Sequence, residues 1–251
     1  MPLNYNLLPK VWPSNIEKGL GYRELADRYQ AMEKAPLLIT GQLLTGYAPA
    51  LGDALHLDGI IAAAVLASHP CPAQYPKGAA IVPLPLQMLW TNEDGWPLWA
   101  SSDLVPQGEA IQSREYWHKR YPTHRADLGG KMNANTSAGR WREYRVPITT
   151  VVTDRVQALA IGNLDEVRRL LGHVSHIGKK GAAGYGRVQW DVQPATMSDQ
   201  DALLAIHTGR ALPIGYAAEQ GISGTTLPVA GWTPPYWYAP NHCGCIVPSS
   251  S

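Results

Sequence analysis

No apolar run in this chain approaches the roughly 18 residues that a membrane-spanning helix needs. Ile60 to Ala67 is eight residues long and suits a buried helix instead. The opening residues, Met-Pro-Leu-Asn-Tyr-Asn, lack the basic start and apolar stretch of a secretory signal, so the expectation is a cytoplasmic protein with no membrane partner. Cysteine is scarce. Three in 251 residues is an odd number, which argues against a disulfide framework and for a reducing compartment. His242, Cys243 and Cys245 form only a C-x-C cluster, with Cys71 far off in sequence, whereas structural zinc wants four regularly spaced ligands. No metal and no cofactor is expected.

One stretch has no acids: from Arg168 to Arg187 there are five Lys or Arg residues and not one Asp or Glu. A second block, Arg114 to Arg145, holds eight Lys or Arg against Glu115, Asp127 and Glu143. The formal net charge of +1 hides these blocks, because they take 13 of the 21 basic residues and three of the 20 acids. Such asymmetry is the footprint of a surface that meets a polyanion. The hydrophobic content of 45% is enough for a sizeable core, as one domain with insertions or two small ones.

Within the acid-free stretch, His176 to Val188 reads His-Ile-Gly-Lys-Lys-Gly-Ala-Ala-Gly-Tyr-Gly-Arg-Val. Gly178, Gly181, Gly184 and Gly186 let the main chain take positive φ and offer its N–H groups to an anion. Lys179, Lys180 and Arg187 add charge at the same place, and Tyr185 offers a face on which a base could stack. The loop follows a helix, unlike a Rossmann turn or a P-loop, which precede one. That order suits a polymer backbone better than a mononucleotide. The other block interleaves Tyr116, Trp117, Tyr121, Trp141 and Tyr144 with Arg114, Lys119, Arg120, Arg125, Lys131, Arg140, Arg142 and Arg145. Its Gly/Asn/Ala/Ser/Thr-rich middle, Leu128 to Gly139, marks a long insertion or hairpin with a mobile tip.

Asn163 with Glu166 has capping-box spacing, and Leu164, Val167, Leu170 and Leu171 recur at helical intervals up to Gly172. Strands are predicted at Ala35 to Tyr47, Ala79 to Trp90, Trp96 to Asp103, Val151 to Ile161 and Gly186 to Val192, with a helix at Leu57 to Ser68 that Asp58 caps. The order strand, helix, strand, strand, insertion, strand, helix, strand gives an α+β fold close to a ferredoxin-like, RRM-like unit. Residues 1–34 read as an N-terminal helical extension, 35–195 as the core with an insertion at about 112–145 and the glycine-rich loop at 176–187, and 196–251 as a C-terminal extension. A loosely packed C-terminus is expected from Pro234, Pro235, Pro240 and the serine end, although Trp232, Tyr236, Trp237 and Tyr238 need a surface to cover them.

The run Leu57-Asp58-Gly59-Ile60-Ile61-Ala62-Ala63-Ala64, the Trp-Pro-Leu-Trp-Ala-Ser-Ser-Asp run at 96 to 103, Tyr116-Trp117-His118-Lys119-Arg120 and the glycine-rich segment 176–188 resemble the Csf-three subunit of type IV CRISPR effector complexes, the Cas-five-like member of the RAMP superfamily. The resemblance spans roughly Ala35 to Val192. It implies a ferredoxin-like RAMP core whose thumb-like insertion grips the 5′ repeat-derived handle of a CRISPR RNA, at one end of a filament of backbone subunits and beside a large subunit. It also implies a part in reading the motif that flanks the DNA target. The glycine-rich loop would be His176 to Arg187 and the thumb Arg114 to Arg145. Some RAMP relatives cut RNA without metal, and His173, His176 and Lys179 are the candidates for that chemistry as general base and charge stabiliser. The relatives this chain resembles leave processing to a separate nuclease, so the expectation is a subunit that holds RNA without cutting it.

Overall fold

The computed structural model describes residues 22–49, 54–69, 81–120 and 143–248. Helix α1 (Tyr22–Ala31) leads into β1 (Ala35–Leu43); β2 (Leu55–His56) runs directly into α2 (Leu57–Ser68). Two short strands, β3 (Met88–Thr91) and β4 (Pro97–Trp99), pair with each other and are followed by β5 (Asp103–Gln107). The arms of a long hairpin are β6 (Ile111–Lys119) and β7 (Tyr144–Val152). Then come β8 (Arg155–Gly162), α3 (Leu164–Leu171) and β9 (Val188–Pro194). Last are α4 (Asp199–Thr208), β10 (Leu212–Pro213), α5 (Ile214–Glu219), β11 (Gly224–Gly231) and β12 (His242–Pro248).

The fold is α+β with antiparallel sheets. The main sheet runs β2-β5-β8-β1-β9, and every pairing in it is antiparallel. Both faces are covered, which explains why β1 and β8 read as nearly continuous apolar runs. On one face Leu37, Ile39, Val156, Ala158 and Val192 pack against α2, α3 and α1 through Ile61, Val65, Val167, Leu170 and Tyr29. On the other, Leu159 and Ile161 meet Ala202 and Ile206 of α4. Burial of each such aliphatic side chain contributes about 1.5–3 kcal/mol.

Helix α3 begins and ends as its sequence dictates. The Asn163 side chain accepts from the Glu166 N–H at 3.0 Å, and Gly172 follows the last turn. The reciprocal half of the capping box is absent, because the Glu166 carboxylate turns to Arg169 and to Tyr29, whose hydroxyl donates to it at 2.8 Å. That bond fixes α1 to the core. Asp58 does not cap α2: His56 holds the N-cap position, and Asp58 lies buried in the first turn.

Two strands are shifted from the sequence expectation. Ala79 and Ala80 of the first lie outside the described residues, and from Ile81 to Trp90 only Met88 onward is regular strand, since Pro83 and Pro85 cannot donate to a ladder. The strand that joins the main sheet is β5, which starts at Asp103, where Trp96 to Asp103 was expected to be strand. The C-terminal part is not a loose tail. Its three-stranded sheet, β10-β12-β11, encloses a second core of Leu212, Tyr216, Trp232 and Cys245 with Trp96 and Leu98. Arg210 joins that unit to the main domain: its guanidinium donates to Asp58 at 3.2 Å and to the carbonyls of Trp99, Ser101 and Trp232. Tyr236 closes the knot, donating to Asp58 at 2.7 Å while stacking on His56 at 3.7 Å.

Candidate nucleic-acid interface

The glycine-rich loop leaves α3 and closes on itself through a narrow neck. His176 bridges to Arg187, and Ile177 N–H donates to the Gly186 carbonyl at 2.8 Å. Gly186 has φ +68, and a Cβ there would run into the Ile177 carbonyl; Gly178, at φ +73, likewise leaves no room for a Cβ beside the Ala48 carbonyl. Both glycines are needed to shut the neck, where the sequence suggested only freedom to approach a ligand. Residues 44–48, just past β1, hold the loop from below. Leu44 N–H donates to Arg187, Gly186 N–H to Gly46, and Lys179 N–H to Ala48 at 2.7 Å. The Thr45 hydroxyl donates to the Gly184 carbonyl at 2.9 Å and accepts from the Arg187 N–H at 2.9 Å.

Half of the loop's main-chain donors, those of Ile177, Lys179, Ala183, Gly184, Gly186 and Arg187, are therefore spent on its own shape. At its tip the N–H groups of three successive residues, Lys180, Gly181 and Ala182, meet no acceptor among the described residues. Lys180 takes φ +68, the left-handed conformation, and a 3₁₀ turn, Gly181–Ala183, follows it. A left-handed residue next to right-handed ones turns successive amides the same way, which is the geometry of an anion nest.

The hairpin meets this tip. Antiparallel register puts Glu115, Trp117 and Lys119 of β6 on one face with Tyr144, Val146 and Ile148 of β7, and Arg114, Tyr116 and His118 on the other with Arg145 and Thr149. The first face looks toward the loop. The Lys180 ammonium sits 4.0 Å from the Trp117 ring centroid, and the Tyr185 hydroxyl donates to Glu115 at 2.6 Å. That hydrogen bond, which only the neutral phenol can donate, pushes Tyr185 above its ordinary range. Lys119 lies over Tyr144 at 5.9 Å, and Tyr144 meets Trp117 edge to face. On the far face the Arg145 guanidinium covers the Tyr116 ring at 3.9 Å. All of these hairpin side chains except Ile148, which is buried, are exposed.

Of the residues singled out from sequence, His176, Gly178, Lys179, Lys180, Gly181, Gly184, Tyr185, Gly186 and Arg187 lie in the loop, and Arg114, Lys119, Arg120 and Arg145 on the hairpin. Arg125, Lys131, Arg140 and Arg142, with the rest of the hairpin's tip, lie outside the described residues. His173 is exposed just past α3, and the ring of His176 lies against Gly181 with its Nδ1 2.9 Å from the Ser175 hydroxyl. Two members of the acid-free stretch are drawn off elsewhere. Arg169 forms a bidentate pair with Glu166 at 2.7 and 2.8 Å, and Arg168 donates to the Val192 carbonyl at 2.8 Å. Cys243 and Cys245 stand 3.9 Å apart at sulfur, and burial pushes the Cys245 thiol up to about 12. No group of three metal-ligating side chains occurs among the described residues. Sequence reasoning missed Thr45 and Glu115; only the alternation of β6, which puts Glu115 on the Trp117 face, signals the second.

Fold and site define a mixed α/β protein whose antiparallel framework carries an exposed, cationic and aromatic loop-and-hairpin surface. Residues 35–248 match the family described as CRISPR type IV associated protein Csf3, and the chain belongs to that family. It is thus a type IV CRISPR-associated subunit. The match runs through the C-terminal unit, well past Val192, as the packing of that unit on the core would require. No curated protein matches the chain. None of the described helices is long and apolar enough to cross a membrane.

Proposed function

We propose that this chain is the RNA-binding subunit that holds the 5′ repeat-derived handle of a CRISPR RNA at one end of a cytoplasmic type IV complex. It does so without cutting the RNA. The observation that carries the reading is the junction of loop and hairpin: Lys180 against Trp117 and Tyr185 against Glu115 bring two separate basic segments into one surface. Cations that neutralise phosphates, beside rings that stack on bases, are what single-stranded nucleic acid requires.

The sheet supports the same reading. Taken without β2, its order β9-β1-β8-β5 and the two helical crossovers on one face follow the split βαβ pattern of a ferredoxin-like, RAMP-type core. The β6–β7 hairpin then occupies the place of the thumb, inserted between the second and third core strands. Backbone subunits and a large subunit are the partners, and the exposed far face of the hairpin is free to reach target DNA near its flanking motif. His173 and His176 serve structure and contact, not acid–base chemistry.

Binding of labelled repeat RNA across a salt series tests this. The double substitution Lys179→Ala and Lys180→Ala should weaken binding and lower the slope of log K against log salt by about 1.4, at about 0.7 per phosphate contact to a single strand. The RNA should come through intact. Specific cleavage that disappears in His173→Ala or His176→Ala would overturn the non-catalytic part, and an unchanged slope would remove the loop from the interface.

A further inference from the structure

Glu115 is the only acid on the loop-facing side of the paired strands β6 and β7, and it stands between the two basic segments. A carboxylate at that point repels backbone phosphates, so it weakens a surface whose sole task is phosphate neutralisation. It is also held in place: Oε2 accepts from the Tyr185 hydroxyl at 2.6 Å, while Oε1 is engaged only loosely, 3.5 Å from the Thr150 hydroxyl. Two carboxylate oxygens offer about four acceptor positions, so most of them remain for a ligand. Two residues along the same face, Trp117 presents its ring, 38% exposed, with the exposed Lys180 ammonium over it. A fixed acceptor beside an aromatic plane is a device for reading a base, not for holding a backbone.

We infer that Glu115, Trp117 and Tyr185 form a base-reading subsite that selects guanine. This rests on the nucleic-acid-binding reading of the loop and hairpin. Guanine alone among the four RNA bases presents two adjacent donors, N1–H and the N2 amino group, on its Watson–Crick edge, and these pair with both oxygens of one carboxylate. Uracil sets its single imide N–H between two carbonyls, and adenine and cytosine each set an amino group beside an unprotonated ring nitrogen. Against a carboxylate those acceptors are repelled. In the bound state the base takes the place of the Lys180 ammonium on the Trp117 ring, and the released ammonium turns to the adjoining phosphate. Tyr185 keeps its hydrogen bond and so orients Glu115.

The test uses the full chain and short oligouridines carrying a single guanosine, inosine, adenosine or cytidine. Guanosine should bind most tightly, with inosine, which keeps N1–H but lacks the amino group, in between. Glu115→Gln should reduce the preference for guanosine over uridine by about tenfold or more, the size of a lost bidentate base contact. The same variant should bind plain oligouridine as tightly as the parent or more tightly, since a repulsive charge is gone. Tyr185→Phe should blunt the preference without changing the salt slope. Salt-dependent binding with no base preference, or a preference that survives Glu115→Gln, overturns the subsite and leaves the RNA-binding reading standing. Failure of the parent chain to bind any of these oligomers, or the repeat RNA, overturns both.

Discussion

Arg210 and Lys180 both sit among an aromatic ring, a tyrosine hydroxyl and a carboxylate, yet one lies in the core and the other at the surface. Arg210 is 5% exposed and its partner Asp58 1%. Burial by itself lowers the tendency of Arg210 to carry a proton; the Asp58 carboxylate more than offsets this, and the net effect keeps the guanidinium charged. Tyr236 is pushed up by the same burial and then by Asp58. Around Lys180 water screens every charge, so its contacts are weak and exchangeable. The chemistry is shared, and the solvent decides that one cluster fastens two cores while the other stays open to a ligand.

Breaking the buried cluster should have the largest effect. Asp58→Ala or Arg210→Ala leaves an uncompensated charge in the core and should cost about 3–5 kcal/mol of stability, read by urea unfolding. Replacing both residues by leucine should cost less than either alanine change alone; equal or greater loss would show that the pair contributes more than mutual neutralisation. At the surface, Gly186→Ala forces a left-handed φ on alanine, about 1–2 kcal/mol of strain before its overlap with Ile177 is counted. Its main readout should be RNA affinity, because the neck that sets the loop tip would open. An unaltered affinity would separate the loop's shape from its binding.

The smallest effect concerns Glu166, which belongs to neither cluster. The Arg169 guanidinium bonded to it, against the effect of burial and with help from Tyr29, holds its carboxyl below the usual range. A depressed folded value means that the stabilisation is present above the ordinary carboxylate pKa and is lost as pH falls through the folded one. The melting temperature of Glu166→Gln should therefore lie below that of the parent near neutrality, with the gap closing in acid. A gap independent of pH would show that shape, not charge, holds the Tyr29–Glu166–Arg169 contact.

Helix α3 was legible in sequence because its signals are local: Asn163 caps it, four apolar residues line one face, and Gly172 follows it. The glycine-rich loop was legible for the same reason, whereas the basic block was read as a long insertion or hairpin without its paired strands. What escaped depends on residues distant in sequence. Prolines and the serine end in the last quarter suggested looseness, yet Trp96 and Leu98 supply apolar partners from more than a hundred residues upstream. Arg168 and Arg169 counted toward a polyanion surface until folding set them against Val192 and Glu166. Glu115 counted only as an opposing charge, since its bond to Tyr185 joins residues 70 positions apart.

Lys180 is the only residue other than glycine with positive φ among the described residues. Such a conformation costs a side-chain-bearing residue about 1–2 kcal/mol that glycine would not lose. Selection for stability alone would therefore replace this lysine with the residue that flanks it so often in the same loop. On the proposed RNA-binding reading the side chain that strains the loop is also one that meets the ligand, so stabilising the loop by Lys180→Gly and preserving its grip are opposed aims.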